Sequence, residues 1–185
     1  MNQDPTFIIF TGPMFGSKTT KMLAVIDRYR YQQKKVLAFK PMIDDRYSES
    51  SIMTHSGGKL AAICVKQGED VVKYVHKMRE RLDVIAVDEA FMIPGIAESL
   101  IQLFREGHTI VVSSLQLSAS GLPFEEVRDI MPWATKIEVC PAVCTKCDQD
   151  AYYTKALFDI DNATQEEKIG AKGMYEPRCF KHYFD

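Results

Sequence analysis

The sequence lacks several features that define whole classes of protein. No apolar run approaches the ~20 residues of a membrane-spanning helix, and the first residues show no basic segment followed by a long apolar stretch. Neither a membrane partner nor a secretory signal peptide is therefore expected. Charge of one sign is not in excess either, with 25 Asp and Glu against 23 Lys and Arg. Such a balance predicts no basic face for a nucleic acid, so nucleic acid is not expected as the main partner.

Internal repeats and low-complexity tracts are also absent, and cysteine is sparse, with five in 185 residues. The sequence predicts a cytoplasmic protein, where a disulfide framework is not expected and regularly spaced cysteines favour metal binding. Apolar residues make up 46% of the chain, enough for one domain with a real core and a small appendage.

Short apolar runs alternate with helical patterns along the first two thirds of the chain. Strands are predicted at 7–10, 36–39, 61–65, 84–87 and 109–112. Helices are predicted between the first two strands (about five turns), over 70–81 and over 96–106, while 40–58 is predicted as a long loop. The alternation indicates an α/β fold with a mostly parallel sheet flanked by helices. We place the main domain at 1–138 and a small cysteine-rich lobe at 139–185.

A glycine loop joins the first strand to the following helix. It ends in Lys-Thr and predicts a phosphate-binding loop for ATP, as in P-loop nucleotide-binding proteins, because loop amides and a helix N-terminus attract phosphate. Lys18 would reach the β- and γ-phosphates and Thr19 would hold Mg²⁺. The candidate ATP-binding residues are Gly12, Pro13, Met14, Phe15, Gly16, Ser17, Lys18 and Thr19. An ordinary glycine turn is the alternative.

The loop departs from the usual pattern at one position. Glycine is expected directly before the lysine, but Ser17 stands there and the glycine lies one place earlier, at Gly16. We expect a functional but weakened loop, in which exchanging the two residues tightens ATP binding about tenfold.

Two acidic residues follow the buried run 84–87. Asp88 and Glu89 are expected at the carboxyl edge of the sheet, where the phosphate loop also opens. Asp88 suits a water-mediated Mg²⁺ site, and Glu89 is left as a general base for an attacking hydroxyl. The alternative is a pair of solvated acids that cap the next helix.

Two half-sites with metal-ligand spacing lie near the end of the chain. Cys144 and Cys147 form C-x₂-C, and Cys179 and His182 form C-x₂-H. Together they predict a closed, structural Zn²⁺ site. Unpaired thiols and a surface histidine are the alternative. Cys64 is interpreted as a buried small hydrophobe, and Cys140 has no predicted partner.

These segments, taken in order, resemble a known family. The loop 12–19, the segment 40–47 with 55–57, the run 87–90 and the segment 169–179 are similar to those of the type II thymidine kinases, which include cellular and poxviral enzymes. The similarity extends from Phe10 to Tyr183. It implies ATP-dependent transfer of phosphate to the 5′-hydroxyl of deoxythymidine, with Mg²⁺, structural zinc and a homotetramer.

The resemblance also implies roles for particular residues. Glu89 is the catalytic base, Lys18 neutralises charge on the transferred group, and Arg46 adds positive charge near the acceptor. The segment 169–179 is implied to form a lasso loop over the nucleoside. The implied nucleoside-binding residues are Met14, Arg46, Leu115, Phe124, Thr154, Gly170 and Tyr175.

The chain departs from the family pattern around the base pocket. Phe91 and Met92 stand where glutamine and phenylalanine are usual, Gln116 replaces an aspartate, and Ala119 replaces an aromatic residue. Losing a ring removes some 150–250 Å² of potential burial. These changes bear on base specificity more than on reaction type. They keep two alternatives open: a P-loop ATPase with a zinc-bearing interaction lobe, and a weak or inactive thymidine kinase paralogue.

Overall fold

A computed structural model describes residues 4–42, 51–53, 57–159 and 173–185. The strands are β1 Phe7–Thr11, β2 Val36–Pro41, β3 Ser51–Met53, β4 Lys59–Ala61, β5 Ile63–Val65, β6 Val84–Asp88, β7 Thr109–Ser113, β8 Lys136–Val139, β9 Ala142–Val143, β10 Asp150–Ala151, β11 Tyr153–Ala156 and β12 Tyr175–Arg178. The helices are α1 Lys18–Tyr31, α2 Gly68–Lys77, α3 Ile96–Arg105, α4 Glu125–Ile130 and α5 Phe180–Phe184, with 3₁₀ turns at Ala90–Met92 and Met131–Trp133.

Six strands form one parallel sheet in the order β5-β2-β6-β7-β1-β8. The central strands are apolar and buried on both faces, as parallel strands between helical layers must be. Side chains alternate between the faces. Ile9, Ile85 and Val112 belong to one core cluster, while Ala86 and Val111 belong to the other.

Helices cover both faces of this sheet. On one side, α1 contributes Met22 and Ile26, both fully buried, to the cluster that contains Val111. On the opposite side, α2 and α3 pack together, and Val71 and Leu100 join the other cluster. The α/β prediction is therefore confirmed. Within the described ranges, no helix has the length and apolar content to cross a membrane.

Several element boundaries differ from the sequence-based prediction. α1 has 14 residues, about four turns rather than five. α2 occupies Gly68–Lys77 rather than 70–81, because the chain becomes extended at Met78. The predicted strand 61–65 is divided between β4 and β5 at Ala62. Part of the predicted loop 40–58 is a strand, since β3 pairs antiparallel with β4.

The sheet also extends further along the chain than the apolar pattern indicates. β8 pairs in parallel with β1 at the edge of the main sheet, although Ile137 and Val139 are each a little under half exposed. An edge strand has only one paired side, so it lacks the apolar run of the central strands. β8 ends at Val139, one residue past the predicted end of the main domain; the division at 138 stays a prediction.

Candidate active site

The loop between β1 and α1 wraps closely over the main chain of Cys140. A Cβ atom added to Gly12 or Gly16 would lie 2.3 or 2.4 Å from the Cys140 carbonyl oxygen. Real Cβ atoms do not approach backbone oxygens this closely, so both positions require glycine. Gly12 also has φ 136°, a value that side-chain-bearing residues rarely adopt.

Ser17 has the conformation that explains the usual glycine before the lysine. Its φ and ψ are 56° and 23°, in the left-handed region, directly before α1. Gly16 therefore does not take over that turn; it is needed for its approach to Cys140. Exchanging the two residues would place a serine Cβ against the Cys140 carbonyl, so the structure contradicts the expectation that the exchange tightens ATP binding.

Lys18 lies beneath this loop and is 7% exposed. Its Nζ donates a hydrogen bond of 2.7 Å to the carbonyl oxygen of Pro13, and the amide of Gly16 donates to the same oxygen at 3.3 Å. The ammonium group is thus held within the curve of the loop. A phosphate in the loop would meet a positive charge that is already in place.

Thr19 and Asp88 lie side by side at the carboxyl edge of the sheet. The Thr19 hydroxyl donates to Asp88 Oδ1 at 3.0 Å and lies 3.3 Å from Oδ2. α1 and β6 thus bring a hydroxyl and a carboxylate together from positions 69 residues apart. Hard oxygen ligands beside a phosphate loop fit Mg²⁺, which prefers oxygen and retains several waters.

Glu89 follows in the left-handed conformation, with φ 51°. This turns the chain sharply between β6 and the 3₁₀ turn at Ala90–Met92. The residue is half-buried and its Oε2 atom is shielded from solvent. A non-glycine residue in this conformation at a sheet edge is typical of functional sites, where packing holds an unfavourable geometry. The arrangement places a carboxylate next to the candidate metal site.

The residues implied for the nucleoside fall into two groups. In one, the Met14 amide donates to Thr154 Oγ1 at 3.0 Å, which ties the phosphate loop to β11. β11 pairs with β12, where Tyr175 is 8% exposed, and burial raises the pKa of its phenol. In the other, the Phe124 amide donates to the carbonyl of Gln116 at 3.3 Å, next to Leu115. Arg46, Gly170 and the first part of the predicted lasso, residues 169–172, lie outside the described residues. The later part of that segment is not an open loop at Tyr175–Arg178, which forms the strand β12.

The departures around the base pocket also have structural positions. The Phe91 and Phe124 rings pack with centroids 4.5 Å apart, and the Phe91 amide donates to Ser114 Oγ at 3.0 Å. The Ala119 carbonyl accepts a hydrogen bond of 3.1 Å from the Tyr183 hydroxyl. Phe91 thus packs on the ring of Phe124, while Ala119 is joined through its main chain to the C-terminal helix α5.

The four predicted zinc ligands converge. Their ligand atoms all lie within 4.8 Å of one another. The sulfurs of Cys147 and Cys179 are 3.6 Å apart, and His182 Nδ1 lies 3.3 Å from Cys179 Sγ and 3.6 Å from Cys144 Sγ. A tetrahedral zinc with ~2.3 Å bonds to sulfur separates two sulfurs by about 3.8 Å, so the cluster fits this metal.

The surroundings act differently on two of the thiols. For Cys147, a backbone hydrogen bond from Gln149 lowers the pKa, but burial and the hydrogen bonds with Cys179 and Cys144 outweigh it and raise the pKa. Desolvation opposes ionisation of Cys144, but hydrogen bonds from the backbone of Cys179 and Lys146 outweigh it and lower the Cys144 pKa to about 6. Zinc binds the thiolate rather than the thiol. The set Cys144, Cys147, Cys179 and His182 can therefore hold zinc.

A cluster of one arginine, one glutamate and one threonine lies beside the four candidate zinc ligands, and the sequence patterns did not predict it. Arg178 is 4% exposed and contacts both Glu176 and Thr145, while the Thr145 hydroxyl donates to Glu176 Oε2 at 2.7 Å. Thr145 lies between two zinc ligands, and Arg178 directly precedes another. No sequence signal links Thr145 to the other two, because they lie 31 and 33 residues further along the chain.

Comparison with solved structures defines the class of fold. The chain is similar to the Legionella pneumophila ATPase DotB, with 15% identity and a TM-score of 0.50 over 80% of this chain and 44% of that one. It thus spans less than half the length of that protein. The likeness, together with the parallel sheet and phosphate loop, defines a P-loop NTPase-like fold.

Comparison with family models identifies the family of the chain. Residues 6–183 match the family model described as Thymidine kinase. The chain belongs to the thymidine kinase family, as the resemblance in its motifs predicts.

Proposed function

We propose that this protein phosphorylates the 5′-hydroxyl of deoxythymidine with ATP to give dTMP, a reaction of nucleotide salvage. The observation that carries the proposal is the Thr19–Asp88 hydrogen bond between the phosphate loop and β6, with Glu89 next along the chain. It gathers phosphate-binding amides, a lysine, metal ligands and a candidate base at one sheet edge.

The proposed mechanism divides the work among these residues. Loop amides between Gly12 and Lys18 bind the ATP phosphates, and the Lys18 ammonium stabilises negative charge as the phosphoryl group moves. Thr19 and Asp88 would hold Mg²⁺, which when bound neutralises phosphate charge. Glu89 accepts the proton of the 5′-hydroxyl as its oxygen attacks in line.

The nucleoside is proposed to lie between the two groups of pocket residues. Met14, Thr154 and Tyr175 lie on one side, and Leu115 and Phe124 belong to the other. The family supports a nucleoside as acceptor, and deoxythymidine is the member of that class for which the family is named. Arg46 and the main chain around Gly170 are proposed to complete the pocket. A homotetramer in the cytoplasm is likewise part of the proposal.

Phosphoryl transfer to each deoxynucleoside tests the proposal. We expect deoxythymidine to be the best acceptor. Glu89→Gln and Lys18→Ala should each lower kcat at least a hundredfold, since proton transfer and charge stabilisation are each worth about 10²–10⁴ in rate. The melting temperature should stay near that of the wild type.

Glu98→Gln is the matched control, because it makes the same change on the exposed surface of α3. It should leave kcat unchanged. Near-normal kcat in Glu89→Gln contradicts the role of Glu89 as base. ATP hydrolysis that needs no nucleoside would instead identify an ATPase, and failure to bind ATP would identify an inactive paralogue.

A further inference from the structure

Ser113, the last residue of β7, carries a buried hydroxyl that the roles assigned above leave unused. The residue is fully buried, and its Oγ has no hydrogen-bond partner among the residues that the structure describes. Burying a hydroxyl without a partner is unfavourable, and native proteins retain few such groups. The hydroxyl is therefore available to a group that arrives with a ligand, if the site of that ligand lies beside it.

The sheet places this hydroxyl at the candidate metal site. Ser113 pairs in register with Asp88 of β6 on one side and with Phe10 of β1 on the other. Neighbouring strands are about 4.8 Å apart. β7 therefore places Ser113 between the strand that carries Asp88 and the strand that leads into the phosphate loop.

The alternation of side chains puts both residues on the same face. Val111 and Ala86, two residues earlier in β7 and β6, belong to the core cluster beneath α1. Ser113 and Asp88 share that face, and Thr19 of α1 hydrogen-bonds Asp88 there.

Two neighbouring hydroxyls do not share this geometry. Ser114 Oγ accepts from the Phe91 amide and donates to the Leu115 carbonyl, so it is occupied. Thr11 Oγ1 is buried and also has no hydrogen-bond partner within the described ranges. However, Thr11 alternates with Phe10 and shares the opposite face with Ile9.

Building on the proposed kinase function, we propose that Ser113 is a positioning residue for the metal: its hydroxyl accepts a hydrogen bond from a water of the Mg²⁺ shell beside Asp88. Mg²⁺ keeps several waters when proteins bind it, and these waters need acceptors. The serine oxygen has two lone pairs for that purpose. Ser113 thus helps to orient the metal without contacting the reacting atoms.

Calorimetric titration of ATP and ADP, each with Mg²⁺ and with EDTA, tests this role. Ser113→Ala should weaken binding of both Mg²⁺-nucleotides by about threefold to tenfold, the effect of one hydrogen bond. Affinity for the metal-free nucleotides should not change. The melting temperature without ligand should not fall, because the hydroxyl has no partner to lose.

Thr11→Val is the matched control, since it removes an equally buried hydroxyl from the opposite face. It should retain the wild-type dependence on Mg²⁺. Three results for Ser113→Ala would each overturn the assignment. They are an equal loss of affinity with and without Mg²⁺, a loss of affinity for Mg²⁺-ATP but not for Mg²⁺-ADP, and a lower melting temperature without ligand. Unchanged binding would overturn it as well. Wild-type protein that fails to bind Mg²⁺-ATP would reject the proposed kinase function as well.

Discussion

At the scale of single residues, the site depends on side chains held in an uncommon backbone conformation. Ser17 and Glu89 both adopt left-handed φ values, one directly before α1 and one directly after β6. Such a conformation costs about 1–2 kcal/mol for a residue with a Cβ atom. The turn at Ser17 positions the residue that follows it, Lys18. The turn at Glu89 positions the carboxylate of Glu89 itself.

The strain at Ser17 leads to a prediction. Ser17→Gly removes the Cβ that opposes φ 56° and lets phosphate approach the loop more closely, so ATP binding should tighten by up to about tenfold, or 1.4 kcal/mol. Calorimetric titration measures the change. Gln33→Gly is the control, because Gln33 has φ 60° after the end of α1, away from the loop. It should not alter ATP affinity, and equal affinity in Ser17→Gly would show that the serine suits the loop.

At the scale of structural elements, the phosphate loop depends on the connection between β8 and β9. Gly12 and Gly16 both pack against the carbonyl group of Cys140. The amide of Cys140 donates a hydrogen bond of 2.7 Å to the carbonyl oxygen of Thr11. Two parts of the chain more than 120 residues apart thus shape one loop. Cys140, which has no role in any sequence pattern, supports that loop through its main chain.

Gly16→Ala tests this packing. The new Cβ would lie 2.4 Å from the Cys140 oxygen, and the atom it meets is rigid backbone. The loop should therefore shift, with a loss of about 1–3 kcal/mol in the free energy of unfolding and at least tenfold in ATP affinity. Denaturant unfolding and nucleotide titration measure the two effects. Wild-type values for both would show that the loop does not rest on Cys140.

A charge pair joins the helix after the phosphate loop, α1, to the edge strand β8. Lys21 on α1 donates to Glu138 on β8 at 2.6 Å, and this hydrogen bond lowers the pKa of Glu138 below its usual range. A lowered carboxyl pKa contributes stability above about pH 4.5, its ordinary value, and loses that contribution as the pH falls through the lowered pKa.

Glu138→Gln should therefore destabilise the protein only in part of the pH range. Both side chains are partly exposed, so we expect a loss of about 0.5–1 kcal/mol near neutral pH that shrinks below about pH 4.5. Urea unfolding at several pH values measures it. Glu98→Gln, which is exposed on α3, should show no such dependence. A constant difference across the range would rule out the charge pair as its cause.

At the scale of the whole molecule, the segment that follows β8 is connected to the candidate active site. Thr154 on β11 binds the Met14 amide of the phosphate loop, and Tyr183 on α5 binds the Ala119 carbonyl. The four candidate zinc ligands lie in the same segment as β11 and α5. A metal that holds this segment together would therefore also stabilise the loop that binds phosphate.

We predict one zinc per chain. Chelation should loosen the segment that follows β8 before the sheet, because the sheet has its own core. Elemental analysis measures the stoichiometry, and hydrogen exchange measures the order of loosening.

Cys179→Ser should lower zinc content and weaken nucleoside binding. Cys64→Ser, at a half-buried position in β5, is the matched control and should retain the zinc. Protein without stoichiometric zinc would contradict the site. Unchanged nucleoside binding in Cys179→Ser would show that the candidate zinc site does not support the substrate pocket.

The local sequence by itself determined the elements and the chemical groups. Apolar runs and their spacing predicted the central strands and the helices that flank them, since burial on both faces leaves a continuous signal. C-x₂-C and C-x₂-H spacing predicted the cluster of four candidate ligands, which the structure brings within 4.8 Å. The Lys-Thr pair after a strand and the acids after another strand predicted their meeting at one edge.

Only the tertiary structure decided what depends on distant parts of the chain. β8 carries no buried apolar pattern, so its place beside β1 follows from pairing alone. The need for glycine at position 16 follows from the Cys140 carbonyl, and the burial of Ser113 beside Asp88 follows from strand order. The physical reason is common to all three: local spacing determines which face a side chain occupies, whereas strand order determines what that side chain meets.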